Sequence, residues 1–133
     1  MIALISVWKL KNGCPPELEE ELKKIAGKVK KAEADTLMYE VNLQAPFPTD
    51  SNFNPLVPPP DPIPLNKQKD VTFIEVYKNV EAFSKHVKGE VFTKFRVEYL
   101  KYFDEDPNQP GWPVTETTFL DEQSGFIRNL LAD

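Results

Sequence analysis

The chain has 133 residues, 41% hydrophobic and 11% aromatic, enough for one core and too few for two. Its net charge of −5 gives a nucleic-acid partner no electrostatic support. A single cysteine, Cys14, excludes an internal disulfide, and one cysteine with one histidine excludes a Cys/His zinc site within one chain.

Taken in order, the first element is a strand from Ile2 to Trp8, in which Ile2, Leu4, Ser6 and Trp8 alternate with Ala3, Ile5 and Val7. Both sides are mostly apolar, so both faces of the sheet need cover. The opening residues are too few and too uncharged for a secretion signal, and no apolar run reaches membrane-spanning length. The default expectation is a cytoplasmic protein with no membrane partner. Cys14 precedes Pro15 and Pro16 at a helix start, where a thiolate could be favoured; the plainer expectation is a partly buried loop thiol.

A helix is expected from about Pro15 to Ala32, its first turn suited by the prolines. Leu18, Leu22, Ile25 and Val29 form its apolar stripe. Its lysines follow Glu19 and Glu20 at a spacing of four, as on a solvated helix face. Thr36 to Asn42 reads as the second strand. From Ala45 to Asp70 the chain carries eight prolines between Pro46 and Pro64, which rules out a helix interior or central strand. Phe47, Phe53, Leu56, Val57, Ile63 and Leu65 argue for an ordered loop laid over the body or a partner. Pro55-x-x-Pro58 and Pro59-x-x-Pro62 match the minimal SH3-type pattern, which a proline-rich loop produces cheaply.

The third strand contains Phe73, Glu75 and Tyr77 alternating with Ile74 and Val76. Asn79 suits a helix N-cap, with Glu81 in the first turn. Val80, Phe83 and Val87 would then share a face, with His86 beside it. Val91, Phe92, Phe95 and Tyr99 give a later helix its stripe. The turn Pro110-Gly111-Trp112-Pro113 introduces a last strand, Val114 to Leu120. In the tail from 121 to 133, Phe126, Ile127, Leu130 and Leu131 are spaced as one face of a short helical arm.

This order, with Leu37-x-Tyr39-x-Val41, Glu75-x-Tyr77, Ala82-Phe83-x-x-His86 and Val91-Phe92-x-x-Phe95, resembles the antibiotic biosynthesis monooxygenase (ABM) domain family. The resemblance spans the chain outside 45–70 and the tail after Leu120. It implies one α+β domain, ferredoxin-like βαββααβ, whose four-stranded antiparallel sheet pairs with a second copy into a dimeric α+β barrel. That pairing would cover the sheet face the helices leave bare. It also implies a cofactor-independent monooxygenase acting with O2 on a small aromatic phenol or quinol, or else a non-catalytic small-molecule-binding homodimer.

His86, the only histidine, is the natural proton shuttle, and at this place in the motif the resemblance turns it toward a cavity between sheet and helices. Glu75, flanked by Ile74 and Val76, reads as a shielded carboxylate that orients a partner or ties the sheet to a helix. Asn42 and Tyr39 are candidate donors to a phenolate, although Asn42 shares its strand face with Met38 and Glu40. Tyr39, Tyr77, Trp8 and Phe92 could wall a flat substrate or simply form core. A haem-degrading branch fits poorly: Arg96 stands where its ligand histidine would fall, and Ser6-Val7 where an asparagine is expected. An isomerase branch finds no glycine-rich phosphate cradle.

Overall fold

The computed structural model describes residues 1–128. The chain runs β1 (Ile2–Lys9), α1 (Pro16–Ala32), β2 (Thr36–Asn42), β3 (Asp70–Tyr77), α2 (Val80–Lys88), α3 (Glu90–Tyr99) and β4 (Thr115–Leu120). The strands form one antiparallel sheet in the order β2-β3-β1-β4. This is the expected ferredoxin-like α+β order.

Period-two alternation sorts the side chains onto two faces. Leu4, Ser6 and Trp8 of β1, with Val71, Phe73, Glu75 and Tyr77 of β3, are buried under the helices. Register pairs Leu4 and Tyr39 with Glu75, and Ser6 and Val41 with Phe73. The α1 stripe Leu18, Leu22, Ile25 and Val29 is buried throughout. Trp8 lies at the centre, its ring 5.0 Å from Phe73, 5.3 Å from Phe103 and 5.8 Å from Phe95. Its indole N–H donates to Ser6 Oγ at 3.1 Å, which satisfies the ring's buried polar edge.

The α2 helix turns differently from expectation. Ala82 and His86 are its buried residues, whereas Val80 is 61% exposed. Asn79 accepts the Ala82 N–H at 2.9 Å and sets the entry. Small Ala82 then packs against Leu4 and Tyr77, bringing the i, i+4 pair Ala82 and His86 onto the sheet. Gly89 ends α2 and caps α3 with no loop between them, and a Cβ there would lie 2.7 Å from the Lys85 carbonyl oxygen.

Between β2 and β3 the chain is anchored at its base. Gln68 is buried, accepting the Gln44 N–H at 2.8 Å and donating to the Gln44 carbonyl at 2.9 Å. Leu65 and Ile63 are half-buried, while Phe47, Phe53, Leu56 and Val57 are exposed on the single chain, so these four are not laid over its own body. The reason is local. Asp50 Oδ1 accepts the N–H groups of Asn52 and Asn54, and Leu56 N–H donates to the Pro48 carbonyl. A hairpin closed on its own backbone need not lie on the body. After β4, residues 121–128 form no helix and Phe126 and Ile127 are exposed; the expected arm through Leu130 and Leu131 extends outside the described residues.

Candidate acid–base site

The β3 alternation that buries Phe73 also points Glu75 at the helices, and the Ala82–His86 face of α2 brings the imidazole down onto it. His86 is 2% exposed. Its Nδ1 lies 2.8 and 3.0 Å from the two carboxylate oxygens of Glu33, and its Nε2 lies 3.7 Å from Glu75 Oε1. The second distance exceeds a hydrogen bond. Tyr77 donates its hydroxyl to Glu75 Oε1. The rings of Phe92, Tyr39 and Tyr77 surround the imidazole with centroids 5.2, 5.3 and 5.5 Å away.

Burial pushes the Glu75 carboxyl above the usual range, and the Tyr77 hydrogen bond and His86 oppose that rise. The Tyr39 and Tyr77 phenols are both driven upward, first by burial and then by the nearby Glu75 charge, so both stay protonated as donors.

His86, Glu75, Tyr39, Tyr77 and Phe92 are thus brought together. Trp8 is not: it contacts Phe92 at 6.0 Å but belongs to the central core. Asn42 is also apart. It pairs with Thr72 and donates to the Thr72 carbonyl at 3.3 Å, on the face shared with Met38 and Glu40 and opposite Tyr39. Arg96 is held by the Gly111 carbonyl at 2.6 Å and stacks over Trp112 at 4.3 Å.

Glu33 escaped the reading of the sequence. It is the C-cap of α1, where the helix dipole disfavours a carboxylate. His86 offsets that penalty, and Thr36 Oγ1 donates to Glu33 Oε1 at 2.8 Å. An acidic residue two positions after the basic pair Lys30 and Lys31, at a helix end, was the available signal.

Glu33 also faces outward. An open groove of about 1340 Å³ runs between the C-terminal half of α1, the α1–β2 turn and the α2–α3 pair. Its walls include Glu33, Thr36, Ala82, Lys85, Phe95 and Val97; His86 and Glu75 are not among the lining residues.

No family model and no curated protein matches the chain by sequence. Solved structures match over nearly the whole fold. An antibiotic biosynthesis monooxygenase superposes with TM-score 0.52 at 17% identity, covering 92% of this chain and 98% of that one. The chain shares the ferredoxin-like α+β fold of that structure. A variant of SnoaB, a cofactor-independent oxygenase from Streptomyces nogalater, gives TM-score 0.57 at 9% identity over 96% and 97% of the two chains. A dimeric ferredoxin-like protein of unknown function from Bacteroides fragilis gives 0.54 at 7% over 91% and 95%. At such identities the likeness establishes the fold alone; what this chain does depends on its own side chains.

Proposed function

We propose that the chain is a cofactor-independent monooxygenase for a small aromatic phenol or quinol. His86 is its acid/base group, and Glu75 with Tyr77 orients the imidazole. The observation that carries this reading is the buried His86 set between two carboxylates and ringed by Tyr39, Tyr77 and Phe92. Such a substrate becomes the reductant once it loses a proton. One oxygen atom enters the ring carbon and the other leaves as water, with all electrons supplied by the deprotonated substrate. The protein has to supply a base and donors in a water-poor site.

A second reading, a small-molecule-binding dimer without chemistry, is favoured by the close packing around His86, which is absent from the groove lining. Oxygen uptake with hydroxynaphthalenes and anthrones, without added flavin, haem or metal, separates the two. His86→Ala is the obvious control, but it would strand two carboxylates and cost about 3–5 kcal/mol. His86→Gln is the better variant. Saturable uptake by the wild type that is lost in folded His86→Gln supports the oxygenase. Uptake equal in both sinks His86 as the base.

The homodimer belongs to the same proposal. The sheet face opposite the helices carries Ile5, Val7, Ile74, Val76 and Leu120, none of them in either core cluster. Leu120 is exposed on this face, paired with Ala3, whereas Phe119 pairs with Leu4 and packs on Phe83 on the helix side. A second sheet laid on this face would bury an apolar surface that a monomer leaves wet.

A further inference from the structure

We propose that the groove between α1 and the α2–α3 pair binds a planar phenol, and that Glu33 is the residue that relays its proton to His86. The inference rests on the oxygenase reading and adds how a substrate communicates with a histidine it cannot touch.

Among the described residues, Glu33 is the one that both lines the groove and bonds the His86 imidazole. Its two oxygens are not equivalent. Oε1 takes the Thr36 hydroxyl and the nearer His86 contact, while Oε2 has only the 3.0 Å contact to Nδ1 among the described residues. Oε2 is therefore the oxygen with capacity for a ligand hydroxyl. Ala82, Phe95 and Val97 give the groove apolar surface for a ring.

The groove also offers a cation. Lys28 is paired with Glu21 at 2.7 Å and Lys94 with Glu90 at 3.3 Å. Lys85 has no carboxylate partner among the described residues and stands one position before His86 on α2. A phenol needs an acceptor for its proton and a positive charge for the oxyanion left behind, and Glu33 and Lys85 supply the two. The step moves protons only. The phenol O–H bond breaks, a bond to Glu33 Oε2 forms, and the proton shared across Oε1 and Nδ1 settles on the imidazole. The phenolate remains opposite Lys85, and no electron leaves the ligand.

Because the chain has one histidine, its imidazole nitrogen signals are unambiguous, and the test needs no turnover. 2-Naphthol is titrated into the full chain while fluorescence reports binding and nitrogen NMR follows His86. The expected result is saturable binding with the Nδ1 signal moving over the same concentration range. In Glu33→Gln that movement is lost while naphthol still binds. In Lys85→Gln naphtholate binds about three- to fivefold more weakly, and uncharged naphthalene is unaffected. Should Glu33→Gln fail to fold, Val97→Trp fills the groove from a residue that is 65% exposed and abolishes binding without moving His86 in the free protein. Naphthol binding that leaves His86 unmoved in the wild type, or no saturable binding, overturns the proposal. Binding with a coupled His86 signal but no oxygen uptake leaves the groove site standing and defeats the oxygenase instead.

Discussion

Glu75 is a carboxyl whose ionisation this fold resists. Its folded-state pKa is raised, chiefly by burial. Between the ordinary carboxylate range and that raised value the native state holds more protons than the unfolded chain, so stability falls as pH rises through the window. Glu75→Gln keeps the acceptor for Tyr77 and removes the titration. Urea unfolding at pH 5 and pH 8 should show the variant gaining on the wild type at the higher pH; an equal difference at both would contradict this. Cys14 is the other residue with a sharp expectation. Burial and the Glu19 charge push its thiol up to about 11. At pH 8 about one thiol in a thousand is then ionised, so aromatic disulfide reagents should label Cys14 only on unfolding. Its position before a helix start does not lower the pKa, because Cys14 is 2% exposed and its backbone N–H donates to Leu65.

At the scale of elements, α2 is the piece that delivers His86, and two local devices aim it. Asn79→Ala removes the side-chain cap on Ala82 N–H and should cost about 1 kcal/mol, lowering the melting temperature by about 3–5 °C. Gly89→Ala drives a methyl into the Lys85 carbonyl, and the junction must open at a cost of about 1–3 kcal/mol. Calorimetry checks both, and a Gly89→Ala protein as stable as the wild type would show that the helix junction yields freely. The α1 stripe and the strand alternations were legible because each depends on a period of the chain alone. The facing of α2 was not: Val80, Phe83 and Val87 make the more apolar face, yet the cap and the fit of Ala82 against Leu4 and Tyr77 chose the face holding His86.

For the whole molecule, the open sheet face gives the decisive prediction. Ile74 lies on it, paired with Ile5 on β1 and Glu40 on β2. Ultracentrifugation should find the wild type at twice the chain mass, and Ile74→Asp should be a folded monomer. A monomeric wild type would require another account of this face and of the exposed hairpin carrying Phe47, Phe53 and Val57.

The sequence by itself determined the order of elements, the stripe of α1 and the strand faces that align Glu75 with Tyr77, because periodicity acts over a few residues. It also indicated that Asn42 would share a face with Met38 and Glu40, where the β2 register now places it. Only the tertiary structure decided that Trp8 is core, that the proline-rich hairpin stands clear of its own subunit's body, and that Glu33 meets His86 across 53 residues. Those outcomes depend on how α1 ends relative to α2, a matter of packing between distant segments that no local pattern encodes.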